Sequence, residues 1–248
     1  MEKKLIAFDV DGTLSQSRSP IDAEMAGILK KLLEKKQVAI ITGGAFADIK
    51  KQILDKIGEN EPRNKNLTLL PTNGGGLWIF DGVWKEISCH KFSDKEKEKI
   101  IKAIKEVDQA DPELRNNKSY GREIQDRDSQ ITYGALGENA PIELKYAWDP
   151  DLKKKQNLQQ SLQEKLPDFE VKIGGKTSID ITPKGMDKAF AIREIINYFR
   201  LSKEEILFFG DAVYENGNDF PVFELGVETV KVINPDETKE RLIRLLKK

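Results

Sequence analysis

Apolar positions in this chain fall into short runs of two periods, and the order of those runs sketches the fold. Leu5 to Phe8 (LIAF) is a continuous apolar run of strand length, ended by the polar stretch that begins at Asp9. From Ile21 to Lys36, Met25, Ile28, Leu29, Leu32 and Leu33 recur at helical spacing, and Gln37 to Ile41 (QVAII) reads as a second buried strand ending in Thr42-Gly43-Gly44. A strand, a helix and a strand joined by short polar breaks predict a βαβ unit with parallel strands. Phe46 to Ile57 reads as a helix and Leu67 to Leu70 as a third strand. In LWIFDGVWKEI, Asp81-Gly82 is the turn of a hairpin.

The texture then changes. A lysine-rich helix (Ser93 to Val107), short polar strands between Arg122 and Tyr133, a helix from Asp151 to Leu166, and strands at Phe169 to Ile173 and Ser178 to Ile181 do not alternate regularly, which predicts an α+β insertion. The first pattern returns with a helix at Asp187 to Phe199, a strand at Glu205 to Phe209 ending in Gly210-Asp211, a strand at Val227 to Val232 and a closing amphipathic helix at Pro235 to Leu246. The expected organisation is an α/β core with a parallel sheet, formed by residues 1–88 and 184–248 and interrupted by a cap domain at 89–183. In such sheets ligands bind outside the carboxyl ends of the strands. Asp9 with Asp11, Thr42, and Asp211 end three core strands and Lys188 opens a core helix, so residues far apart in sequence should converge on one rim.

Composition narrows the chemistry. Of 248 residues, 41 are basic and 42 acidic, a net charge of -1 that argues for neither a nucleic-acid nor a membrane partner. Cys89 is the single cysteine and His90 the single histidine, too few for a disulfide framework, a structural zinc site or a well-founded Ser-His-Asp triad. The opening MEKKLIAF is too short an apolar run for a secretory leader, so the protein is expected to be cytoplasmic. GGKT at 174–177 is no phosphate-binding P-loop, because Glu170 stands where its first glycine is required.

Asp9 and Asp11 are two residues apart in an extended segment, so both carboxylates point one way. A turn needs no such arrangement, whereas a nearby cation would stabilise it. A divalent hard cation takes carboxylate oxygens together with phosphate oxygens, and Asp9 and Asp211 could supply the former. A lysine and a hydroxyl would hold the remaining phosphate oxygens. One carboxylate could then attack phosphorus while the other serves as acid and base.

In this respect the sequence resembles the haloacid dehalogenase (HAD) superfamily of phosphotransferases. The four motifs stand here as DVDGT (Asp9 to Thr13), Thr42 at a strand end, Lys188, and GD followed by ND (Asp211, Asn218, Asp219). The resemblance implies a Rossmann-like HAD core with a type C2 cap, Asp9 as nucleophile and Asp11 as general acid/base. Thr42 and Lys188 would complete the catalytic set, and Mg²⁺ would be held by Asp9, the Asp11 backbone carbonyl, Asp211, Asn218 and Asp219. More narrowly, GGKTSIDITPKGMDK (Gly174 to Lys188) and FFGDAVYENGND look like phosphomannomutase segments. That likeness implies substrate contacts from Arg18, Gly43, Arg127, Ser178 and Asp180, a small-molecule sugar phosphate as substrate, and a homodimer formed through the cap.

Two departures bear on the reaction. Glu138 and Lys145 align where phosphomannomutases carry two further cap arginines for the distal phosphate, with Arg115 or Arg122 as substitutes after a small loop shift. Arginine grips phosphate bidentately, lysine does not, and glutamate repels it. The expectation is therefore a Mg²⁺-dependent sugar-phosphate phosphatase. The alternatives are a phosphomannomutase interconverting mannose 6-phosphate and mannose 1-phosphate, and a noncatalytic sugar-phosphate-binding module.

Overall fold

The computed structural model describes residues 2–16, 18–111, 114, 118–215 and 217–247. They divide into two compact units, residues 1–89 with 186–248, and residues 90–185.

In the first unit, β1 (Leu5–Phe8), β2 (Gln37–Ile41), β3 (Leu67–Leu70), β4 (Gly76–Phe80) and β5 (Trp84–Cys89) are followed, after the second unit has intervened, by two more strands. The second unit contributes β6 (Ile124–Asp126), β7 (Ile131–Gly134), β8 (Phe169–Ile173) and β9 (Ser178–Pro183), and the chain returns to the first with β10 (Ile206–Gly210) and β11 (Glu228–Lys231). The seven-stranded sheet has the order β11-β10-β1-β2-β3-β4-β5. Its first five strands run parallel, and the β4–β5 hairpin adds an antiparallel edge.

The continuous apolar runs follow from burial on both faces. Ile6, Phe8, Val38, Ile40, Leu207 and Phe209 pack into one cluster with Leu29 and Ile53, while Leu5, Ala7, Ala39, Ile41 and Phe208 pack on the other side with Ile192 and Ile195. Phe8 pairs with both Ile40 and Phe209, so β1, β2 and β10 end close to one level and deliver Asp9, Thr42 and Asp211 to neighbouring positions on the carboxyl edge. The helix Lys188–Phe199 starts where it does because the Asp187 side chain accepts from Phe190 N at 2.8 Å.

The second unit carries an antiparallel sheet, β6-β7-β9-β8. Ile131, Tyr133, Ile179 and Ile181 face a core shared with Ile104 of the helix Asp94–Ala110 and with Leu158 and Leu162 of the helix Lys153–Lys165. The opposite face is polar: Gln125, Thr132, Asp180 and Lys172 stand in one register row across all four strands.

Three elements differ from expectation. Phe46 to Ile57 is not one regular helix, because a π-turn at Lys50–Leu54 separates the α-helical pieces Phe46–Ile49 and Asp55–Ile57. The helix Ile142–Trp148 was not foreseen, since Ile142, Leu144 and Tyr146 are exposed and leave no core-facing stripe to read. The helix Phe220–Glu224 is too short to establish a period. No helix among the described residues is long and apolar enough to cross a membrane.

Candidate active site

Lys188 is the centre of the rim. Its side chain is 1% exposed, and its Nζ lies 2.7 Å from Asp9 Oδ1 and 2.5 Å from Asp219 Oδ1. Asp9 is 5% exposed and Asp219 fully buried. The other Asp219 oxygen, Oδ2, accepts from Ala212 N at 2.9 Å, which ties the loop after β10 to the lysine. Asp211 completes the set: one oxygen from each of Asp9, Asp211 and Asp219 lies within 4.8 Å of the others. Glycine makes room for this density of charge. A Cβ on Gly12 would lie 2.4 Å from Asp211 Oδ2, and one on Gly210 would lie 2.4 Å from Asp219 Oδ2.

The electrostatics follow from burial. Three carboxylates face one ammonium, an excess of negative charge in a site largely withdrawn from water. Burial raises the Asp9 carboxyl to about 7 against the opposing pull of Lys188, with Asp219 adding to the rise. Asp211 is raised for the same reasons, burial first and then Asp219. Lys188 moves upward because the attraction of Asp9 and Asp219 outweighs its own desolvation. A cluster of hard oxygen donors with surplus negative charge suits a divalent hard cation, and Mg²⁺ meets that description. Asp9, Asp211 and Asp219 are the side chains that would hold it.

The other expected core residues occupy distinct positions. The Asp11 carboxylate is not in the acidic cluster: its Oδ1 accepts from Arg18 N at 2.6 Å and from Gln52 Nε2 at 3.0 Å. Arg18 thus meets Asp11 through its main chain, at a φ of 57°, while its side chain is exposed. Thr42 is buried, and its Oγ1 accepts from Gly44 N at 3.1 Å, closing the Thr42-Gly43-Gly44 loop on itself. Asn218 is exposed beside the buried Asp219.

Arg127, Ser178 and Asp180 belong to the second unit and share its polar sheet face. Arg127 Nη2 donates to Gln125 Oε1 at 3.0 Å, Ser178 Oγ accepts from Gly175 N at 2.7 Å, and Asp180 Oδ1 accepts from Thr132 Oγ1 at 2.7 Å. Glu138 is engaged by Arg122, whose Nε and Nη2 donate to its two carboxylate oxygens at 3.1 and 3.3 Å, and Lys145 Nζ donates to the Glu138 carbonyl at 3.0 Å. Arg115 lies outside the described residues.

Sequence reading passed over Gln52. It reaches Asp11 from the π-turn at Lys50–Leu54, and such turns are frequent at functional sites, but apolar periodicity carries no signal for them.

The model of the haloacid dehalogenase-like hydrolases matches residues 6–234. A phosphomannomutase of Encephalitozoon cuniculi is 30% identical over 265 aligned positions, spanning 100% of this chain and 95% of that protein. A phosphomannomutase of Saccharomyces cerevisiae is 27% identical over 256 positions, spanning 97% of this chain and 93% of that protein. Among solved structures, a haloacid dehalogenase-like hydrolase from Bacteroides thetaiotaomicron superposes with a TM-score of 0.70 at 17% identity, over 98% of this chain and 100% of that one, a likeness of fold.

Proposed function

Because the chain belongs to the haloacid dehalogenase-like hydrolase family, as an enzyme of the phosphatase and phosphotransferase type, we propose that it is a phosphomannomutase working through an aspartyl-phosphate on Asp9. The observation that carries the chemistry is the buried contact of Lys188 with both Asp9 and Asp219, beside Asp211. The relatives of nearly equal length that carry the name phosphomannomutase support the mutase over the hydrolase that Glu138 and Lys145 suggested. They and the family equally disfavour a noncatalytic module.

The steps are these. An Asp9 carboxylate oxygen attacks one phosphorus of a hexose 1,6-bisphosphate, the bond from phosphorus to the sugar oxygen breaks, and Asp11 gives that oxygen its proton, leaving a hexose monophosphate. The phosphoryl group then passes from Asp9 to the free hydroxyl of a hexose monophosphate bound in the opposite orientation, with Asp11 taking the hydroxyl proton back, so that a bisphosphate is regenerated and the monophosphates are interconverted. Lys188 neutralises charge on the transferring group and on Asp9, and the Thr42–Gly44 loop offers the Thr42 hydroxyl and the Gly43 main-chain N–H to its oxygens. Mg²⁺, held by Asp9, Asp211 and Asp219, would supply further charge neutralisation.

Arg122 and Glu138 favour a second reading, the hydrolase. Their two-pronged pair occupies the guanidinium that could otherwise have gripped a distal phosphate, so water rather than a sugar hydroxyl would accept the phosphoryl group. Incubation with mannose 1-phosphate, Mg²⁺ and a trace of hexose 1,6-bisphosphate distinguishes the two. The expected product is mannose 6-phosphate with little inorganic phosphate, lost in Asp9→Asn. Phosphate released in step with substrate consumed would assign the hydrolase instead.

A further inference from the structure

A glutamine is seldom buried, yet Gln52 is only 7% exposed. The π-turn Lys50–Leu54 turns it inward: Gln52, Ile53 and Leu54 are buried in succession, and Ile53 and Leu54 belong to the core of the first unit. An amide withdrawn from water needs partners, and this one finds them within residues 11–21. Its Nε2 lies 3.0 Å from Asp11 Oδ1 and 3.5 Å from the Ser19 carbonyl, and the Gln52 main-chain carbonyl accepts from Ile21 N at 3.0 Å.

Asp11 has a second donor on the same oxygen. Arg18 N, at a φ of 57°, donates to Oδ1 at 2.6 Å. A carboxyl left to itself turns readily about its last side-chain bond, whose torsion is broad and two-fold, so that its oxygens exchange places. Donors arriving from the π-turn and from residue 18 prevent this. Both donors to Asp11 among the described residues go to Oδ1, where they fill the two acceptor sites of that oxygen. Oδ2 is then the oxygen left to carry a proton.

We propose that Gln52 is a positioning residue for the proton transfer. By donating to Asp11 Oδ1 it fixes the carboxyl so that Oδ2 gives its proton to the sugar oxygen as the phosphorus–oxygen bond breaks, and takes a proton back from the accepting hydroxyl. This rests on the reading of Asp11 as general acid and base. Gln52 acts through Asp11 and not on the phosphoryl group itself.

The leaving group separates this role from a merely structural one. 4-Nitrophenolate departs without needing a proton, whereas a sugar alkoxide needs one, so only the second reaction depends on how Asp11 is held. Gln52→Met keeps the length of the side chain and removes the donor. Its kcat/KM for hexose 1,6-bisphosphate with Mg²⁺ should fall about tenfold or more, in kcat rather than KM, while that for 4-nitrophenyl phosphate stays within about twofold of the parent's. Gln52→Glu, which has the same shape but turns an acceptor toward Asp11, should show the same split, and more strongly. Loss on both substrates alike in the two variants, or on neither, overturns the inference. Where Gln52→Met matches the parent but Asp11→Asn loses the bisphosphate reaction and keeps the aryl one, the positioning role fails and the acid stands. An Asp11→Asn protein that keeps the bisphosphate reaction overturns the acid reading itself.

Discussion

At the residue scale, Asp9 is held between two opposing demands. Burial favours the neutral carboxyl, and Lys188 at 2.7 Å favours the ionised one; burial prevails and raises Asp9 from the usual carboxylate range to about 7. The consequence for stability has a definite sign. Between the unfolded value near 3.8 and the folded value near 7, the folded protein retains a proton that the unfolded chain has released. Without divalent metal, stability should therefore fall as pH rises through that window, by up to about 1.4 kcal/mol per pH unit. Asp211, raised in the same direction, adds to the slope. Urea unfolding in EDTA at about pH 5 and about pH 8 should show the parent losing stability and Asp9→Asn losing less. Mg²⁺ should restore the parent more at the higher pH, where the ligands are ionised. A parent that gains stability over this range would contradict the assigned direction. Asp9, Asp11, Thr42 and Asp211 could be picked out in the sequence because they follow buried strands, and Lys188 and Asp219 because they stand in the motifs that resemble the family's. Gln52 could not, since a π-turn places it and leaves no periodic trace.

At the element scale, the helix Lys188–Phe199 shows how a local rule serves the rim. Asp187 caps it and Lys188 is its first residue, so the cap fixes both the start of the helix and the base from which the ammonium reaches Asp9. Asp187→Ala should cost about 1 kcal/mol in urea unfolding and lower kcat at the same time, because the lysine main chain loses its anchor. The cap variant Asp187→Ser, which restores an acceptor, should recover most of both. A kcat unchanged despite the lost stability would separate the cap from the site. The same physics explains which elements the sequence disclosed. β1, β2 and β10 are buried on both faces and read as unbroken apolar runs, whereas Ile142–Trp148 turns its apolar side chains outward and has no buried stripe to betray it.

At the scale of the whole molecule, the change of texture near residue 90 reports two units with separate reasons to fold. The apolar residues of 90–185 close on themselves: Ile104, Ile131, Tyr133, Leu158, Leu162, Ile179 and Ile181 form one core, and all four strands of its sheet lie inside the segment. Tyr133 is fixed within that core by a hydrogen bond from its hydroxyl to Asp108. Nothing comparable completes the other unit without both of its pieces, because β10 lies against β1 and β11 against β10. Residues 90–185 expressed alone should thus give a cooperative thermal transition and a dispersed amide spectrum, whereas residues 1–89 alone should not. Tyr133→Phe should weaken the isolated segment by about 1 kcal/mol, and by a similar amount within the full chain, because its partner Asp108 belongs to the same unit. An isolated 90–185 that stays unfolded would mean that the insertion, despite an apolar core of its own, depends on the rest of the chain for its stability.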